Sequence, residues 1–126
     1  MPDNKETNKS FDIKSPGEKE LLQKLVDRTD TEATRMKHYL SMPDLSRDPS
    51  SPIYEIVHRI LSEKDFKNFD IVKSPEIVPT NITFDLYNFA PDHPARSHSD
   101  TYFIDDTNIL RPHTTVMWYY LSLIHI

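Results

Sequence analysis

Asn88-Phe89-Ala90-Pro91-Asp92-His93-Pro94-Ala95-Arg96, then Asp100-Thr101-Tyr102-Phe103, then Leu110-Arg111-Pro112-His113-Thr114-Thr115, is the stretch in which polar chemistry is densest. Three imidazoles, His93, His98 and His113, fall there with Arg96, Arg111 and several aspartates. Imidazole and carboxylate are ligands for zinc, manganese or iron, so His93, His98, Asp92 and Asp100 form a candidate set. Their arrangement, His-x4-His in a loop containing Pro94, matches none of the fixed ligand spacings, and the expectation is no metal. The competing explanation is structural, because a loop needs side chains to satisfy its backbone polar groups.

Working outward, residues 101–104 and 109–113 read as two strands around a turn at Asp105-Asp106-Thr107-Asn108, and residues 115–120 as the start of a helix. Residues 80–89 fit either period, since Ile82, Phe84 and Leu86 alternate while Ile82, Leu86 and Phe89 also lie on a helical face; a short helix is the preferred reading. Upstream, Ser51-Pro52 opens a helix whose Ile53, Ile56, Val57, Ile60 and Leu61 recur at helical spacing, which predicts one buried face. Residues 69–72 read as a short buried strand stopped at Lys73-Ser74-Pro75. Two prolines, Pro43 and Pro49, make residues 42–50 a linker. Ser15-Pro16-Gly17-Glu18 has the form of a capping box, followed by Leu21, Leu22, Leu25 and Val26 on one helical stripe that fades through residues 28–34. Residues 1–14 are polar without periodicity and are expected to be a disordered tail.

Composition narrows the function classes. The 126 residues allow one domain at most, and 37% hydrophobic content is low for a wholly packed chain. Only Phe11 and Tyr39 of the 13 aromatics precede residue 51, although that half carries 10 acids and 9 bases. A net charge of -5 argues against a broad basic nucleic-acid footprint. The absence of cysteine removes disulfides, thiol nucleophiles and Cys-based zinc sites. A single glycine, Gly17, leaves no Gly-rich phosphate loop. With a polar beginning and no run near the roughly 18 apolar residues of a membrane span, the expectation is a cytoplasmic protein with no membrane contact.

The three quoted segments, His-Pro-Ala-Arg, Asp-Thr-aromatic-aromatic and Leu-Arg-x-His-Thr at these separations, resemble the alpha subunit of phenylalanyl-tRNA synthetase. The helix, strand and proline before them are similar to motif 1 of class II synthetases, so that the likeness covers about residues 36–120. It implies an α+β fold: part of a class II synthetase catalytic domain, an antiparallel sheet with flanking helices, preceded by a short helical and partly disordered region. The implied division is 1–14 tail, 15–50 helical region and linker, and 51–120 truncated catalytic domain. Residues 121–126, Leu121-Ser122-Leu123-Ile124-His125-Ile126, are the translation of CTG TCT CTT ATA CAC ATC, the transposase adapter end of sequencing libraries, and are expected to be adapter-derived.

By the same resemblance, His113 and Thr115 face the amino group of phenylalanine and Phe103 lies near the bound substrate, while His93, Arg96, Asp100 and Arg111 shape the loop around them. Thr115 stands where the family commonly has serine, and Pro112 where it usually has threonine. The implied activity is phenylalanine–tRNA ligation with ATP and Mg2+, with the arginines of motifs 2 and 3 and the magnesium ligands lying beyond Tyr120, so that no catalytic residue falls here and the fragment is inactive alone. The implied partners are a beta subunit in an alpha2beta2 tetramer, tRNA(Phe), phenylalanine and ATP. A short 15–40 region replaces the long coiled coil that reaches tRNA in bacterial members. A rival from another class is a non-catalytic synthetase-derived binding module; a weaker one is a metal hydrolase using His93, His98 and Asp100.

Overall fold

A computed structural model describes residues 9–124. The chain divides into two compact units that alternate along the sequence: one holds the described residues up to Asp12 with Ser41–Lys73, the other Ile13–Leu40 with the residues from Ser74 onward. This differs from a division at residue 51, because helices before that point pack with strands after it.

The first unit contains β1 (Ser10–Asp12), α3 (Pro52–Ser62) and β2 (Ile71–Lys73). β1 pairs parallel with β2, with Phe11 opposite Val72. The expected disordered tail is therefore corrected over residues 10–12, where backbone pairing overrides a composition poor in apolar residues. Residues 1–8 lie outside the described residues. α3 begins as its sequence predicts: the Ser51 hydroxyl accepts the Ile53 N–H at 3.2 Å and Pro52 occupies the first turn. Among the described residues of this unit its expected buried face is only partly covered, with Val57 and Leu61 half-buried. Ile53, Ile56 and Ile60 are 46%, 58% and 49% exposed, and no described residue of this unit is fully buried. The strand expected at 69–72 runs instead over Ile71–Lys73, leaving Phe69 exposed against Phe66.

The second unit carries the core. α1 (Glu18–Asp27) and α2 (Thr31–Ser41) form a helical pair, joined at Arg28 and Asp30. Half of the expected capping box is present: the Glu18 carboxylate accepts the Ser15 N–H at 3.3 Å. Gly17, at φ +80°, takes the cap position, and Ser15 instead receives a hydrogen bond from the Tyr120 hydroxyl at 3.3 Å. α2 starts on Asp30, whose carboxylate accepts the Ala33 N–H at 3.0 Å.

β3 (Ile77–Pro79) pairs antiparallel with β4 (Asn108–Leu110), placing Ile77 opposite Leu110 and Val78 opposite Ile109. Alternation along these two short strands separates two apolar clusters. On one side, Ile77 and Leu110 pack with Leu25, Ala33 and Met36 of α1 and α2, and with Ile104. On the other, Val78 and Ile109 pack with Phe84, Val116 and Tyr120. α4 (Thr80–Thr83) leads out of β3 into a 3-10 turn at Asp85–Tyr87, so the helical preference for residues 80–89 holds in two pieces. The predicted turn at 105–108 is present, closed by Ile104 N–H to the Asn108 carbonyl at 2.9 Å; the strand expected at 101–104 shrinks to a single bridge between Phe103 and Ile109. α5 (Met117–Ile124) follows, running past Tyr120 into the terminal segment, of which residues 125–126 lie outside the described residues. The result is an α+β arrangement with a small antiparallel sheet flanked by helices.

Candidate functional site

A cleft of about 700 Å³ opens in the second unit where the chain leaves β4 and meets the loop after the 3-10 turn. His93, Asp100, His113 and Thr115 all line it, beside the rings of Tyr87 and Phe89. Four of the seven sequence-predicted site residues thus come together around one cavity.

His113 owes its position to a break in the helix. After Thr83 the backbone turns at Phe84 (φ −114°, ψ −55°), and the Tyr87 N–H bonds to the Phe84 carbonyl at 3.2 Å. The bond that a continuing helix would draw from Tyr87 to the Thr83 carbonyl is not made. That carbonyl instead lies 3.1 Å from Nε2 of His113. Nδ1 of the same ring is buried and has no hydrogen-bond partner. The ring sits near parallel to Phe89 (centroids 6.0 Å apart, 29°) and edge-on to Tyr87 (6.0 Å, 86°). Thr115 is held through its main chain, whose carbonyl accepts the Tyr87 hydroxyl at 2.7 Å.

On the opposite wall His93 caps the 3-10 turn Pro94–Arg96, its Nδ1 accepting the Ala95 N–H at 3.0 Å, and its ring lies 4.8 Å from that of Phe89. Arg96 does not line the cavity: Nη2 donates to Asp85 at 2.8 Å and to the Phe89 carbonyl, and the guanidinium lies 5.3 Å over the Phe84 ring. Arg111 donates to the Pro75 carbonyl at 3.0 Å, which ties the end of β4 to the start of β3. Phe103 is not among the lining residues; it stacks on His98 at 4.0 Å and 16°, against the cluster around Ile109. Asp100 is exposed and takes only the Ser99 hydroxyl, at 3.3 Å. Its anchoring role falls to its neighbour, the buried Thr101, whose hydroxyl donates to the Ala95 carbonyl.

Tyr87, Phe89, Thr83 and Thr101 are the site residues that sequence reasoning passed over. The first two carry a signal of their own, an aromatic pair just before Pro91, whereas a main-chain carbonyl such as that of Thr83 leaves none. Among the described residues no three His, Asp or Glu side chains converge to hold a metal ion. The cleft is therefore an apolar, aromatic recess bordered by the His113 ring and Thr115, suited to a ligand with an aromatic or aliphatic body.

The family described as tRNA synthetases class II core domain (F) matches residues 35–122. Curated relatives agree. The phenylalanine–tRNA ligase alpha subunit of Mycoplasmoides gallisepticum is 39% identical over 72 residues, covering 57% of this chain and 21% of that protein. The alpha subunit of Persephonella marina is 30% identical over 96 residues (76% and 28%), and that of Legionella pneumophila strain Lens 33% over 99 (78% and 27%). The chain spans less than a third of the length of these relatives. No solved structure matches. With most of its length matched, and with the matched residues enclosing the cleft, this chain belongs to the class II tRNA synthetase core domain (F) family.

Proposed function

We propose that this chain is part of a phenylalanine–tRNA ligase alpha subunit, and that its cleft receives the amino-acid end of phenylalanine. The observation that carries the reading is His113: an imidazole lining the cleft with one nitrogen engaged and the other an unpaired acceptor beside aromatic rings. An ammonium group is the natural complement of such an acceptor, and the Thr115 side chain two residues on adds a hydroxyl oxygen. His93, Arg96 and Arg111 hold the walls with Thr101 in the place expected of Asp100, and Phe103 supports the strand beneath them.

In the intact subunit, the phenylalanine carboxylate attacks the α-phosphate of ATP, forming phenylalanyl-adenylate with release of pyrophosphate, and the phenylalanyl group then passes to tRNA(Phe). Such chemistry depends on positioning and charge stabilisation. These residues contribute positioning: they hold the ammonium and exclude water around it. The described residues supply no convergent carboxylates for Mg2+, which belongs with ATP to the longer protein. The partners are a beta subunit and a second alpha subunit, in an alpha2beta2 assembly, and the exposed isoleucine stripe of α3 supports an alpha-to-alpha contact there. No helix among the described residues is long and apolar enough to cross a membrane.

The test is phenylalanine binding by the intact subunit. His113→Ala is expected to weaken it by about 1–3 kcal/mol, the range for removing a partner from a buried charged group. Calorimetry showing the same affinity in the variant would refute the assignment.

A further inference from the structure

Resting on that reading of the cleft, we infer that the main-chain carbonyl of Thr83 is a positioning group that fixes His113 as the tautomer with hydrogen on Nε2, leaving Nδ1 as the bare acceptor nitrogen. A carbonyl oxygen can only accept, so a 3.1 Å contact with Nε2 requires that nitrogen to carry the hydrogen. Nδ1 then has two states. As N–H in an imidazolium it would be a buried donor with nothing to receive it, since no partner lies within reach. As a bare lone pair it is an acceptor waiting for a donor. The second leaves no buried donor hydrogen without an acceptor, and the hydrogen-bond geometry favours it.

The carbonyl is itself held in place. Thr83 is fully buried, and its hydroxyl donates to the Pro79 carbonyl at 2.8 Å, which pins the end of α4 to the end of β3. The break at Phe84 is what releases the Thr83 carbonyl from helical bonding. A local feature of α4 thereby decides which proton His113 carries, from 30 residues away in sequence. Thr83 touches no substrate in this account and acts only through the imidazole.

Nitrogen-15 spectra of the full chain labelled at histidine read the tautomer directly. His113 is expected to show Nε2 protonated and Nδ1 of the bare type, against averaged signals for an exposed imidazole such as His98. A reversed, averaged or cationic His113 at neutral pH would overturn the inference. Thr83→Val removes the anchoring hydroxyl with little change of shape and is expected to move His113 toward averaged signals, while Thr83→Ser restores the fixed pattern. If Thr83→Val leaves the His113 pattern intact in a folded chain, Thr83 is not the positioning group; if the valine variant fails to fold, the wild-type pattern and the serine variant still decide. Titration of the intact subunit with L-phenylalanine is expected to shift the Nδ1 signal, and 3-phenylpropionate, which lacks the amine, to leave it. A fixed tautomer that responds to neither ligand would refute the amino-acid reading of the cleft while the lock, carried by the ligand-free spectrum, stands.

Discussion

Tyr87 holds one end of the cleft through a single hydrogen bond, donated by its hydroxyl to the Thr115 carbonyl 28 residues away. Removing that oxygen while keeping the ring isolates the bond from the packing. Tyr87→Phe is expected to cost about 0.5–1.5 kcal/mol of stability, read from urea denaturation, and to weaken phenylalanine binding by loosening the segment that carries Thr115. A second residue-scale effect lies at the junction of α1 and α2. Asp30 is held down to about 2, first by the hydrogen bonds from the Arg28 guanidinium and then by the Ala33 N–H. A carboxyl whose folded value lies below its ordinary 3.8 stabilises the fold above that ordinary value, and the contribution disappears as pH falls through about 2. Helicity measured by circular dichroism between about pH 4 and about pH 2 should therefore fall more steeply in the wild type than in Asp30→Asn, which has no proton to take up at that position.

At the scale of elements, the two strands that divide the core matter more than any helix. Ile109 is fully buried at the centre of one cluster, and Ile109→Ala is expected to lose about 2–5 kcal/mol, whereas Val26→Ala, at a side chain 67% exposed, should change stability by less than about 0.5 kcal/mol. Chemical denaturation of the two variants side by side measures the contrast. The sequence reveals these elements unevenly, for physical reasons. α3 is legible because a Ser-Pro cap and a regular isoleucine spacing are both local signals. Its burial is not, because periodicity says that a face is apolar and not what covers it. β3 is hidden just after Pro75, which reads as the stop of the strand before it, and it ends on Pro79, whose missing donor so short a strand does not need. α2 is obscured by its threonines, while Ala33, Met36 and Leu40, its inward side chains, keep a helical spacing that a Thr- and Asp-rich beginning masks. In the cleft, His113 and Thr115 are legible as a motif, and Phe103, read as substrate-facing, turns to His98 instead. The sequence cannot show the direction of a strand residue until its partner strand is known.

The whole molecule presents one unit with a core and one without. All fully buried side chains among the described residues belong to the second unit, and the first leaves Ile53, Ile56 and Ile60 on an uncovered helix face. Exposed apolar surface of this kind marks an interaction site, here the proposed alpha-to-alpha contact. Ile56→Glu, in the middle of the stripe, should shift the intact subunit from dimer toward monomer in sedimentation equilibrium; an unchanged mass would remove α3 from that contact. The parallel pairing of β1 with β2 adds a consequence in time. Ser10 leaves the ribosome some sixty residues ahead of its partner Ile71. At about 5–20 residues per second, the first strand waits several seconds with its backbone unpaired before its neighbour exists. Its exposed, largely polar residues suit it to that wait, since a more apolar strand would invite association between nascent chains.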